Sequence, residues 1–296
     1  MRGRFLFSLP MTLCFALLVL SVRVASGQTA EELLKDQEIR KTLELINQAR
    51  AQAGLAEVSL SAELSQGCTK HAQYLVLNRG NPRIDGLKAH EEDEALKGAS
   101  KEGAAAGKAA VIHFVKPSQA VSGWLATFYH RIPLLQPALE EVGIGSASDK
   151  RETVCLVDCI RGVSYKDTTD KKKARPVVYF PEDGQTDVPI AMGPEIPSPL
   201  PKDHKGKAGF PITVYFATRQ DVKKVAVLVT GSDDMAVPAY VSSPEFPATT
   251  FTQWNTVCII PKHQLAMDTT YRVKLTCELS GKLFERSWKF TTEKSK

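Results

Sequence analysis

A charged run, Asp167, Thr168, Thr169, Asp170, Lys171, Lys172, Lys173 and Ala174, splits this chain into two parts of different texture. It offers no apolar anchor and reads as a linker. Before it, apolar residues recur at helical spacing. After it, short β-branched and aromatic runs alternate with Pro and Gly turns. The expectation is an α+β domain over 28–165, a linker over 166–174 and an all-β domain over 175–296.

The first 27 residues read as a secretory leader. Arg2 and Arg4 precede a nearly unbroken apolar stretch from Phe5 to Val22, and Ala25 and Gly27 supply small residues for cleavage before Gln28. An uncleaved anchor is the alternative, and Pro10 and Arg23 argue against it. Cys14 lacks a lipoprotein setting. No later segment approaches a membrane-spanning length, so the expected location is extracellular, periplasmic or in the cell envelope. Three leader arginines account for most of the nominal charge of +5. The mature chain is close to balance, which argues against a nucleic-acid partner.

Secretion permits disulfides, and five cysteines follow the leader: Cys68, Cys155, Cys159, Cys258 and Cys277. The odd count leaves a free thiol, an intermolecular bridge or no bridge at all. Cys155 and Cys159 on one strand would stand about 13 Å apart, too far to pair. Cys258 with Cys277 is one option, and Cys68 with Cys155 or Cys159 is another.

In the first part, Leu34, Ile39, Leu43, Ile46 and Ala49 predict an amphipathic helix over 30–53, capped by Thr29 and ended by Gly54. Ser61 caps a second helix running to Asn78. Residues 83–110 are polar and aperiodic, which predicts a long functional loop with at most one short helix. Pro117 opens a third helix through Phe128. Residues 141–147 and 152–162 read as a hairpin turning at 148–151. In the second part, runs at 177–180, 212–216, 225–230, 256–260, 271–277 and 288–292 predict a β-sandwich.

The chemistry concentrates between Gly123 and Gly145, where Trp124 stands six residues before the pair His130 and Arg131, and Gly143-Ile-Gly145 opens a strand. With the Leu45-to-Leu55 helix, Leu64-to-Ala72 and Ala89-His90-Glu91, this stretch resembles the bacterial branch of the CAP family (cysteine-rich secretory proteins, antigen 5 and pathogenesis-related proteins) over about residues 40–162. The resemblance implies a three-layer α-β-α sandwich and a cleft holding His90, Glu102 and His130. A second cleft acid of eukaryotic members, expected just after Trp124, is missing: positions 125–129 are Leu, Ala, Thr, Phe and Tyr. The family's Asn after its first acid is Gly103 here. Tyr179-Phe-Pro-Glu-Asp183, Leu265-to-Tyr271 and Trp288-to-Thr292 are similar to bacterial Ig-like modules.

Two imidazoles and one carboxylate can form an N,N,O set suited to zinc, with His90 and His130 as the metal-binding candidates. Spacings of 12 and 28 residues are not a local metal motif. The other candidates read as structural. His71 is a packed helix residue, His113 lies on a half-buried strand and Trp124 belongs to the core. Arg131 is expected to pair with Glu140 or Glu141. Glu91 to Glu94 form a solvated loop without calcium-loop spacing, and His204 and His263 lie on the surface. The expected function is a non-enzymatic secreted binding module for a small lipid or glycan ligand. A zinc-assisted peptidase or cell-wall hydrolase is the alternative, and a purely structural envelope protein is a third.

Overall fold

The computed structural model describes residues 28–164, 177–216 and 221–295. The leader at 1–27 and the linker at 166–174 lie outside the described residues. The first part begins with α1 (Ala30–Leu33) and α2 (Gln37–Gln52). These replace the one helix expected over 30–53. Thr29 caps α1 with a reciprocal Glu32 contact, but the Asp36 carboxylate then accepts from the Glu38 and Ile39 amides and starts a second helix. Gly54 closes α2 at φ +68°, a left-handed conformation that favours glycine.

There follow β1 (Ser59–Leu60), α3 (Ala62–Leu77) capped by Ser61, and two 3-10 turns, Pro82–Ile84 and Gly86–His90. Next come α4 (Lys101–Ala109), β2 (Ala110–His113), α5 (Pro117–Leu125) and α6 (Arg131–Leu134). The expected third helix therefore stops at Leu125. The hairpin β3 (Glu141–Ser148) and β4 (Thr153–Asp158) is present. These strands form one sheet in the order β1-β3-β4-β2, with β1 parallel to β3 and the other pairs antiparallel.

Strand alternation sends β4 side chains to opposite faces. Cys155 and Val157 pack with Ile46 of α2 and with Val121 and Trp124 of α5. Val154 and Leu156 pack with Cys68, Ala72 and Tyr74 of α3 and Ala106 of α4. Helices thus cover both faces, as the α-β-α expectation required.

The second part holds β5 (Val177–Phe180), β6 (Ile212–Phe216), β7 (Val222–Thr230), β8 (Ala239–Ser242), β9 (Thr256–Pro261), β10 (Thr270–Leu279) and β11 (Lys282–Thr291). β8 was not legible in the sequence. Two antiparallel sheets, β5-β6-β9-β8 and β11-β10-β7, share a core that includes Phe180, Val214, Ile259, Val229, Leu275 and Trp288. All five cysteines of the described residues are free and buried. Cys258 and Cys277, which fall in opposite sheets, are not bridged, and neither is Cys68 with Cys155 or Cys159.

The two parts are packed together. Ala49, Ala53, Leu55 and Leu135 of the first join the sandwich core. Phe128, Tyr129 and Ile132 cluster with Ala208, Cys258 and Ile260. Arg131 sits in this junction and corrects the expected pairing with Glu140 or Glu141. Its buried guanidinium donates to the carbonyls of Leu125, Phe180 and Pro211 and lies over the rings of Phe180 and Phe210. Burial pushes its pKa down to about 9, and nearby Cys258 and Glu195 oppose that shift only in part.

Candidate functional site

Three helices and the loop between α3 and α4 build one end of the site. His71 faces inward from α3, and both its ring nitrogens are engaged: Nδ1 with Glu92 Oε1 at 2.9 Å and Nε2 with Ala89 O at 2.8 Å. A carbonyl only accepts, so Nε2 carries a proton. A second proton lies between Nδ1 and Glu92, and this buried pair is neutral as a whole whichever partner holds it. Glu92 Oε2 also accepts from the Ser100 amide at 2.6 Å.

Glycines on α4 make room for the pair. A Cβ on Gly103 would stand 2.2 Å from Glu92 Oε1, and one on Gly107 would stand 2.4 Å from the His71 ring. The acidic run is therefore not uniformly solvated. Glu92 is buried, while Asp93 pairs with Arg83 at 2.7 Å on the outside.

This anchor fixes the segment that carries His90. Its Nδ1 donates to Gly107 O at 2.9 Å, and among the described residues Nε2 has no hydrogen-bond partner. Burial pushes the His90 pKa below its ordinary value; the Gly107 bond opposes that shift, and nearby His130 and His71 reinforce it.

His130 lies opposite, at the start of α6. Its Nδ1 stands 3.0 Å from Glu195 Oε1 and 3.2 Å from Thr127 Oγ1. Glu195 belongs to the second part of the chain. Its buried carboxylate also accepts from the amides of Phe128 (3.0 Å), Tyr129 (2.6 Å) and His130 (3.1 Å).

His90 and His130 line one cavity of about 500 Å³. Leu87, Ile132, Pro133 and Ile160 form its wall on one side, and Ile196, Phe251 and Trp254 of the second part form the other. Leu87, Ile160, Ile196 and Phe251 remain largely exposed there, a concentration of apolar surface at one opening. Tyr129 is packed edge-on against Phe251 and shares a hydrogen bond with Thr249 Oγ1 at 2.7 Å.

Glu102 is not brought to this cavity. It stands exposed on α4, paired with Lys70 at 3.2 Å. Its own backbone amide and Lys70 hold its pKa below the usual carboxylate range. The slot between α3 and α4 is filled by Glu92, ten residues earlier in the chain. His113 ends β2, edge-on to Trp124, and its Nδ1 accepts from the Phe114 amide at 2.9 Å. Burial and His130 hold its pKa low. His204 is half-buried against Tyr240 rather than on the surface, whereas His263 is exposed.

These residues do not assemble a zinc set. Among the described residues no three His, Cys, Asp or Glu side chains stand close enough to hold a metal ion. Sequence reasoning missed Glu195, Glu92 and the apolar wall of the second part. Glu195 is a lone acid among prolines, and nothing local links it to a histidine 65 residues away.

Residues 43–159 match the model of CAP, the cysteine-rich secretory protein family. The match spans α3, α4, α5, the main strands of the first sheet and both cavity histidines, and it supports the CAP reading of this part. Among curated proteins none matches the chain. No helix of the described residues is long and apolar enough to cross a membrane.

Proposed function

We propose that this is a secreted CAP-type protein whose cleft is completed by an Ig-like second domain and binds a small apolar, lipid-like molecule without turning it over. The observation that carries this reading is the cavity of about 500 Å³, walled by apolar residues from both parts. Such a lining suits a lipid better than a glycan, whose hydroxyls need many polar partners. The leader at 1–27 supports secretion into the envelope or beyond.

The Ig-like assignment draws support from the strand orders β5-β6-β9-β8 and β11-β10-β7, which match the A-B-E-D and G-F-C sheets of that architecture. Tyr271 adds to it. It lies at the start of β10, and its hydroxyl accepts from the Ala266 amide at 2.8 Å, as in the tyrosine corner.

The test is titration with an environment-sensitive naphthalene dye, read by the dye's own fluorescence. Saturable binding is expected. Replacing Ile196 and Phe251 together by Asp should weaken it roughly tenfold or more, because charges then line an apolar wall. Both positions are exposed, so the fold is retained. Unsaturable binding, or binding unchanged in the variant, would refute the reading.

One observation favours the hydrolase alternative without zinc. A histidine oriented by a buried carboxylate has the arrangement of a general base. Ester or amide turnover that disappears in His130→Ala would establish it.

A further inference from the structure

The cavity's polar end has a definite hydrogen-bonding sense. Gly107 O can only accept, so the neutral His90 ring carries its proton on Nδ1 and leaves Nε2 as a lone pair. At His130 the same logic applies twice. The Thr127 hydroxyl proton is already given to Trp124 O at 2.8 Å, so its oxygen accepts from Nδ1. Glu195 Oε1 gathers the amides of Tyr129 and His130 and faces the same Nδ1 at 3.0 Å. A carboxylate collecting backbone N–H groups is itself an acceptor, so the neutral His130 ring also keeps its proton on Nδ1. Among the described residues neither Nε2 has a hydrogen-bond partner, and both belong to side chains that line the cavity. The charged groups at the rim are one of each sign, Lys108 and Glu91, both exposed. They give the opening no net preference for an anion or a cation.

We propose that the inner end of this cavity is a two-acceptor site for a neutral hydrogen-bond donor, a hydroxyl or amide N–H at the end of an apolar molecule, with Glu195 of the second part as the residue that positions His130 for it. This rests on the reading of the cavity as a lipid-like binding site and specifies its ligand class. It also gives the second part a role in recognition, because the carboxylate that faces His130 comes from across the junction.

The experiment compares decanol, decyl methyl ether and decanoate as competitors of the dye on the full chain at pH 9, well above the ordinary imidazole range. Decanol should bind roughly five to ten times more tightly than the ether, the worth of one neutral hydrogen bond. His90→Phe with His130→Phe should remove that difference and still bind the ether. If the ether matches the alcohol, or decanoate exceeds it, the two-acceptor site is wrong while the apolar cavity stands. If none of the three competes, the cavity reading fails and this inference fails with it.

Nitrogen NMR of the labelled histidines reads the tautomer independently of any ligand. In the native protein both rings should be protonated at Nδ1, and a proton on Nε2 of either would overturn the proposal. Glu195→Ala combined with Thr127→Val should move the His130 proton toward Nε2, a change that a merely structural role for Glu195 would not produce. If that variant does not fold, the native spectrum alone decides.

Discussion

Two glycines on α4 set how closely the helix approaches the imidazole and carboxylate that hold the His90 segment. A methyl at Gly107 would press against one edge of the His71 ring, closer than any normal contact. Gly107→Ala should therefore cost about 1–3 kcal/mol, the usual range for overpacking, read as a lowered denaturant midpoint. Glu92→Ala removes one side of a buried neutral pair. It should cost about 3–5 kcal/mol, whereas exposed Glu102→Ala should lie within about 0.5 kcal/mol. Equal losses from the two would refute the assignment of Glu92 to the interior.

The buried histidines also set a pH dependence. His90 and His113 have folded pKa values below the ordinary 6.5, so the folded state binds fewer protons than the unfolded one. Their contribution is fully present above about pH 6.5 and is lost as pH falls through the lower folded values. Urea midpoints should drop between pH 7.5 and pH 5, and a flat profile would count against both burials. At this scale the sequence showed His90 and His130 as candidates through their family resemblance. It placed Glu102 beside them wrongly, because the residue that fills the slot is set by which side chain the glycines of α4 admit.

At the scale of elements, the strand opening at Gly143 and Gly145 determines how α3 packs. A Cβ at Gly143 would lie 2.4 Å from the Leu64 carbonyl carbon, and one at Gly145 would lie 2.3 Å from the Thr69 amide nitrogen. These obstacles are backbone atoms, which cannot swing away as a flexible side chain can. Gly145→Val should cost more than about 3 kcal/mol or abolish folding, and a mild effect in thermal melting would show that α3 does not dock so closely. Helices and strands with strong local signals were legible: Ser61 capping α3, Pro117 opening α5 and the hairpin of β3 and β4 follow from propensity and turn chemistry. The break between α1 and α2 was not read, because apolar spacing continues through Leu34 and Ile39 while Asp36 restarts the caps. β8 is four residues next to prolines and is stabilised by pairing with β9 rather than by its own pattern.

For the whole molecule, the junction between the parts carries both stability and the site. Arg131 gives its hydrogen bonds to carbonyls on each side. Arg50 acts similarly within the first part, donating to Ala56, Leu134, Gln136 and Leu139, and burial lowers its pKa to about 10. Because apolar residues of α2 and α6's flank continue into the sandwich core, thermal unfolding should be one cooperative transition. Arg131→Met leaves buried carbonyls unpaired and should cost roughly 2–4 kcal/mol, with the transition broadening or splitting as the parts uncouple. Two resolved transitions in the native protein would refute the coupling.

The sequence by itself determined the mixed helix-and-strand texture of the first part, the strand-rich texture of the second and the positions of most elements. Periodicity, caps and turns are local signals, and motif spacing is carried along the chain. The tertiary structure alone decided what meets across distance. It took Glu102 out of the site and put Glu92 beside His71. It turned Arg131 into the junction, set Glu195 against His130, and brought Ile196, Phe251 and Trp254 to the far wall of the cavity. Those contacts depend on how the two parts of the chain dock, and docking is set by complementary surfaces that no run of adjacent residues records.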